Sequence, residues 1–446
     1  MASIGKSTIS GLLTDGIVFT LGIVVSVVLT RSLGPEQRGI YALLITTNVL
    51  VSNIAHLSAS RAFINMLARD RYSLGEINTL AVLLSLILGA VLLVVTAILY
   101  PLLPRDLLPN IPYSYLLVAV ALTTATIYQN YWSAMMVGLN RIILMNKLTL
   151  AINLTSGVLM ISAVGLFQWG LDGFLAVWTL SSVAGMLGAL ILSTRIERPV
   201  WPPRWTMIRE TLGFGLRSHP TNIAHHLFLR IDLYIVNALI GAAAVGFYSV
   251  STSLAEKLWL PLNALHASST GKVTQLPKDE SALLAAKVSR TSVLLILLIA
   301  LPFGLVSPWL IPLLYGPEFS ASVLPLIILM AGVVSFSVMM VLNNYIVGQM
   351  QRPGLLSIIS WLQVAVSIPL YIALILWQGI VGAALASAIT YILSMLSTLI
   401  IFVRNSGLSP RSVLLPRPDD FRDYLRIFRA GLNRVPGLSR YARRTP

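Results

Sequence analysis

The chain has 446 residues, of which 56% are hydrophobic and only 11% charged, and its mean hydropathy is +0.83. A soluble domain carries about 25% charged residues, so this composition excludes an ordinary water-soluble globule. The 31 Lys and Arg against 16 Asp and Glu leave a net charge of +15, and the absence of cysteine excludes disulfides and thiolate metal centres. In a soluble chain such a balance would suggest nucleic acid; here it reads as the signature of membrane orientation, with no nucleic-acid partner expected.

Crossing about 30 Å of hydrocarbon takes roughly 20 apolar residues in a helix. Such segments recur near residues 8–30, 40–65, 77–100, 112–138, 145–168, 171–194, 213–240, 245–270, 289–314, 321–348, 354–377 and 379–403. The first six residues lead into apolar sequence without a clear cleavage site, which reads as a retained first helix. That first span carries Asp15, and the second places Thr46, Asn53, His56 and Ser60 on one face before ending at Arg61.

The seventh span is where ionisable groups concentrate. His219, Asn222, His226, Arg230, Tyr234 and Asn237 step by three or four and form one polar stripe, with Arg217, Thr221, His225 and Asp232 beside it. Pro220 removes a backbone donor within it. The eighth span sets Ser249, Thr252, Glu256 and Asn263 on one face, with Lys257 adjacent. Ionisable groups in a bilayer each cost about 2.5–3.5 kcal/mol on insertion scales, so they persist where they face protein or water. The expected reading is a hydrophilic cavity with Arg217, His219, Asn222, His226, Arg230, Asn53, His56, Arg61 and Asn263 binding an anionic, sugar-bearing ligand. Asp15, Asp232 and Glu256 are candidate ion-coupling groups. Structural pairing of Arg230 with Asp232 and of Glu256 with Lys257 is the competing expectation.

Residues 404–446 hold ten Arg and three Asp, and Phe421, Leu425, Phe428 and Leu432 recur at helical spacing. That pattern suits a short amphipathic helix on an anionic leaflet, or else a solvated tail. With the N-terminus inside, the inward segments hold 25 of the Lys and Arg residues and the outward loops only four: Arg31, Arg38, Arg105 and Arg230. The positive-inside rule then puts both termini in the cytoplasm, which requires an even number of spans.

The chain also repeats itself. Leu33-Gly34 and Gly39-Ile40-Tyr41 match Ile240-Gly241 and Gly246-Phe247-Tyr248 at an offset of 207, and Gly170 and Gly173 match Gly379 and Gly382 at an offset of 209. The expected architecture is an all-α integral membrane protein of about 12 helices, with a six-helix lobe over 1–200, a second over 205–404, and a basic tail over 405–446. Such parallel repeats enclose a substrate path and rock against each other.

Other motifs lack their context. Gly5-Lys6-Ser7 has no glycine-rich lead-in or preceding strand, and Gly213-Phe214-Gly215 is no dinucleotide fingerprint, so no cofactor, metal or catalytic residue is expected.

The stretch from Leu33 to Tyr41, Leu33-Gly34-Pro35-Glu36-Gln37-Arg38-Gly39-Ile40-Tyr41, follows a span ending in Thr30-Arg31. With Arg230-Ile231-Asp232, Gly246-Phe247-Tyr248-Ser249-Val250 and Leu314-Tyr315-Gly316-Pro317-Glu318-Phe319, it resembles the polysaccharide flippases of the multidrug/oligosaccharidyl-lipid/polysaccharide exporter superfamily. The resemblance covers roughly residues 5–403. It implies two lobes about a central cavity lined by spans one, two, seven and eight. It also implies translocation of an undecaprenyl-diphosphate-linked oligosaccharide from the inner to the outer leaflet of the cell's inner membrane. Membrane lipids and other polysaccharide-assembly proteins would be partners. A multidrug exporter of the same superfamily would favour acidic cavity residues, and a membrane polymerase would need paired outward carboxylates where only Glu36, Asp106, Asp172 and Glu318 occur singly.

Overall fold

A computed structural model of the chain describes residues 2–102, 111–417 and 419–420. The expected amphipathic helix through Phe421, Leu425, Phe428 and Leu432 lies outside the described residues, as does Arg105.

Every regular element among the described residues is helical. Hydrocarbon offers no partner to backbone N–H and C=O groups, so an apolar chain closes its hydrogen bonds within helices. In chain order they are α1 (Ala2–Ala55), α2 (Ala59–Ala68), α3 (Leu74–Leu99), α4 (Tyr113–Ala121), α5 (Thr123–Gly138), α6 (Ile142–Met160), α7 (Gly170–Ile196), α8 (Trp205–Ile240), α9 (Ala242–Lys257), α10 (Trp259–Gln275), α11 (Lys278–Tyr315), α12 (Val323–Gly348), α13 (Pro353–Ser406) and the short α14 (Pro410–Leu414).

Among the described residues, eight helices are long and apolar enough to cross a membrane. The expected segments are helical, but their continuity differs from the hydropathy reading. Segments one and two run together in α1 across a break at Gly34, and the last two run together in α13 across Gln378 and Gly379. Segments two, four and eight are themselves cut, at residues 56–58 between α1 and α2, at Leu122 between α4 and α5 and at Leu258 between α9 and α10. Hydropathy averages over a window and registers neither kind of break.

The breaks follow the sequence repeat. Gly34 has φ 68°, ψ 178°, and its counterpart Gly241 has φ 86°, ψ 176°. Gly170 and Gly379 share φ values of 59° and 57°. These are left-handed values that glycine adopts without steric cost. The second glycines of the repeat meet each other. A Cβ on Gly39 would stand 1.8 Å from the Ala242 carbonyl oxygen, and one on Gly246 would stand 2.0 Å from the Pro35 carbonyl oxygen. Ala242 is the 207-residue counterpart of Pro35, so α1 and α9 cross through a reciprocal exchange of equivalent positions.

The chain forms two compact units. The first comprises Met1–Val250, Trp309–Pro325 and Ser360–Ala383. Its core gathers Phe63, Tyr128, Tyr131, Trp132 and the methionines 66, 135 and 136. The Tyr128 hydroxyl donates to Asn78 Oδ1 at 2.8 Å. Within this unit Arg31 caps α11: its Nε donates to the Leu314 carbonyl at 2.7 Å and its second amino group to that of Leu313. A cation suits the negative end of a helix whose last carbonyls lack intrahelical donors.

The second unit comprises Ser251–Pro308, Leu326–Ile359 and Ala384–Pro446. Its core of Val273, Ala285, Val338, Leu342, Tyr345 and Phe402 also takes in fully buried Val413 of α14. The first part of the tail is therefore docked. A buried ion pair holds it: Arg290 Nε lies 2.9 Å from Asp420 Oδ2, a second Arg290 nitrogen lies 3.5 Å from Oδ1, and the third donates to the Ser412 carbonyl. The Arg417 backbone N–H donates to the same carboxylate at 2.8 Å.

Removing one partner of such a pair leaves a buried charge uncompensated and costs about 3–5 kcal/mol. Asp420→Ala is expected to lower the unfolding midpoint of the detergent-solubilised protein and to expose the 407–420 segment to protease. Arg290→Met with Asp420→Leu should recover much of the loss. A double variant as unstable as Asp420→Ala alone would show that the segment is held by something other than this pair.

Candidate functional site

The chemistry-bearing side chains of the seventh expected span sit on α8, which packs along the second half of α1 and along α2 within the first unit. The geometry follows from a break. α1 ends at Ala55, and Leu57 and Ser58 take left-handed φ values of 50° and 52° before α2 begins. A helix end leaves carbonyls without intrahelical donors, and side chains supply them. The Asn53 carbonyl accepts from His56 Nδ1 at 2.8 Å and from Asn222 Nδ2 across the interface at 3.3 Å. The His56 carbonyl accepts from the Tyr131 hydroxyl at 2.8 Å.

Around this break the two elements are joined by polar contacts. Ser58 Oγ lies 3.3 Å from His219 Nδ1, and the His56 and His219 rings stand edge to face with centroids 6.3 Å apart. Further along, Thr47 and Tyr234 share a 2.8 Å hydrogen bond. His226 lies within electrostatic reach of His56, His225 and Arg230. Gly215 lets the backbones approach, since a Cβ there would stand 2.2 Å from the Leu57 carbonyl oxygen.

The structure thus brings together Asn53, His56, His219, Asn222 and His226, with half-buried Arg230 beyond them on the same helix. These groups are in part bonded to one another, so the stripe is a polar seam between helices. Asp232 is buried, and its carboxylate accepts from the Tyr248 hydroxyl at 2.9 Å and from the Leu233 N–H at 2.8 Å. Arg61 is exposed on α2, within electrostatic reach of His56, and Asp15 is exposed near the start of α1. Glu256 and exposed Asn263 belong to the second unit. The Arg217 side chain lies outside the described residues.

Sequence periodicity missed Thr47, Tyr131 and Ser58 as partners of the seam. Thr47 is next to Thr46 of the polar face, and Tyr131 follows Gln129-Asn130 in a span with no ionisable group to single it out. Only the left-handed turn at 57–58 brings Ser58 to His219. It also missed Arg38, which is buried with its guanidinium 4.5 Å from the Tyr41 ring centre.

The chain is an all-helical, multi-pass membrane protein, and solved structures share its fold. The lipid II flippase MurJ in an inward closed conformation superposes with a TM-score of 0.71 at 15% identity, covering 94% of this chain and 92% of that one. An inward-facing multidrug resistance MATE family transporter of the MOP superfamily gives 0.67 at 15% identity, covering 87% and 94%. A MOP superfamily transporter from Pyrococcus furiosus Vc1, described as having a binding pocket of reverse polarity, gives 0.66 at 15% identity, covering 91% and 95%.

The chain belongs to the polysaccharide biosynthesis protein family, whose model matches residues 4–264. A relative from Haloferax volcanii, the probable low-salt glycan biosynthesis flippase Agl15, is 24% identical over 227 residues, 50% of this chain and 48% of the relative. The chain thus matches about half the length of that curated relative.

Proposed function

We propose that the protein flips an undecaprenyl-diphosphate-linked oligosaccharide from the inner to the outer leaflet for surface polysaccharide synthesis, by alternating access. The observation that carries this reading is the polar seam of α1, α2 and α8, whose residues Asn53, His219, Asn222 and His226 continue to a cationic group at Arg230. Sugar hydroxyls need donors and acceptors, and a diphosphate needs cations. A relative named as a glycan biosynthesis flippase supports the substrate class.

The proposal includes twelve spans in two six-helix lobes, 1–200 and 205–404, about a central cavity, with both termini cytoplasmic in the inner membrane. Arg217, Arg61 and Asn263 complete the substrate-binding set, and Asp15, Asp232 and Glu256 are the ion-coupling groups.

Two measurements test it. Expressed in a strain lacking its own flippase, the chain should restore delivery of the lipid-linked repeat unit to the outer leaflet. Accumulation of that unit on the inner leaflet despite full-length protein in the membrane would refute the function. Reporter fusions after residues 105 and 200 should read outside and inside; the reverse at both would refute the topology.

A further inference from the structure

A second basic site lies apart from the seam, at the other end of the α2–α8 contact. A cavity of about 530 Å³ is lined by Asn65, Arg69, Arg71, Arg209, Glu210 and Phe214, among others. By their place in the sequence alone, these arginines bear only on membrane orientation. Arg71 pairs with Glu210 at 3.1 Å. Neither Arg69 nor Arg209 has an ion-pair partner among the described residues, so three guanidinium groups face one carboxylate around a concave surface. Asn65 adds an amide and Phe214 an apolar wall.

The depth of the cavity is readable. Arg71 lies three residues before the apolar span Leu74–Leu102, and Arg209 and Glu210 precede the span His219–Ile240. Trp201 and Trp205 are 70% and 74% exposed just before them, the placement of aromatic side chains at a membrane–water interface. The cavity therefore opens at headgroup depth. Its walls are anchored: Arg204 Nε lies 2.7 Å from Glu76 Oε1, and Glu76 closes a capping box with Ser73 at the start of α3.

We propose that this pocket binds the diphosphate of a polyprenyl-linked saccharide at the inner headgroup level, before the substrate reaches the seam. The source of the phosphate rests on the flippase reading above; the anion site itself does not. A net positive pocket with planar forks matches a diphosphate, which offers several oxygens for bidentate bonds. Glu210 restrains Arg71 and opposes the ligand, so it tunes the site rather than builds it.

The test uses the full chain in phosphatidylcholine nanodiscs and labelled undecaprenyl diphosphate as the probe. Arg69→Gln with Arg209→Gln should weaken binding by about tenfold to a hundredfold, the effect of losing hydrogen bonds to a charged group. Glu210→Gln should tighten binding, whereas a merely structural Arg71–Glu210 pair would leave affinity unchanged. Equal affinity in wild type and the double arginine variant, with both folded by unfolding midpoint, overturns the site, whatever transport shows. Displacement of the probe by equimolar phosphatidylglycerol overturns its assignment to the diphosphate and makes it a bilayer-phospholipid site. Arginine-dependent probe binding in a chain that fails complementation would keep the site and reject the flippase reading.

Discussion

Gly39→Leu is expected to leave no correctly folded protein in the membrane. The Cβ alone would stand 1.8 Å from the Ala242 carbonyl oxygen, and that oxygen belongs to the first turn of α9 and cannot swing aside as a side chain does. Relief requires α1 and α9 to separate at their crossing, where the reciprocal contact between Gly246 and the Pro35 carbonyl would be lost too. Helices in lipid associate through such close approaches of small residues, because lipid gives apolar side chains no reason to prefer each other. A loss above about 4 kcal/mol follows, within the range that only backbone clashes and comparable defects reach. Gly246→Leu should behave alike, and the two together should be little worse than either, since one crossing is broken once. Gly22→Leu is the control, because nothing lies within 4 Å of a Cβ there. Size-exclusion profiles and unfolding midpoints in detergent decide the matter. A monodisperse Gly39→Leu protein with the wild-type midpoint would contradict the crossing.

Arg230→Ala should abolish most transport while the protein still reaches the membrane, under the proposal that this residue holds the diphosphate in passage. The rival account is that Arg230 serves only to balance Asp232, two residues on. The structure makes the two separable. Asp232 accepts from the Tyr248 hydroxyl and from the Leu233 N–H, so Asp232→Asn removes the charge while keeping a side-chain oxygen for Tyr248. If Arg230 is a balancing charge, Arg230→Ala with Asp232→Asn should regain transport. If it binds the diphosphate, the double variant should remain as inactive as Arg230→Ala. Arg230→Lys keeps the charge and loses the bidentate fork, so partial activity is expected. Full transport by Arg230→Ala alone would discard the role. The assay is transfer of lipid-linked repeat unit in inverted vesicles, normalised to protein in the membrane.

Much of the fold was legible in the sequence for a physical reason. Hydrocarbon forbids unsatisfied backbone, so apolar runs of sufficient length become helices whatever surrounds them. Glycine also announces itself. The matches at offsets of 207 and 209 fall where a left-handed turn, as at Gly34 and Gly241, or a close crossing, as at Gly39 and Gly246, admits no other residue cheaply. The continuity of the helices was less legible, because Leu122 is an ordinary apolar residue and only Pro261, in the first turn of α10, marks the break at Leu258.

The same division holds for the site. Helical periodicity placed His219, Asn222, His226 and Arg230 on one face of α8, and one face of Asn53 and His56 on the second span. A periodic pattern names a face and not its partner. That Asn222 reaches the Asn53 carbonyl, that Ser58 reaches His219, and that Thr47 meets Tyr234 depends on the left-handed turn at 57–58 and on how α2 then lies against α8. The basic residues show the limit most plainly. Their distribution along the chain sets the expected orientation, because the positive-inside rule only sums Lys and Arg over the loops on each side. The sum is indifferent to what each arginine touches. Only the tertiary structure assigns Arg31 to the end of α11, Arg290 to a buried carboxylate of the tail, and Arg69 and Arg209 to a cavity. Those fates are decided by contacts between residues tens to hundreds of positions apart, which no local pattern encodes.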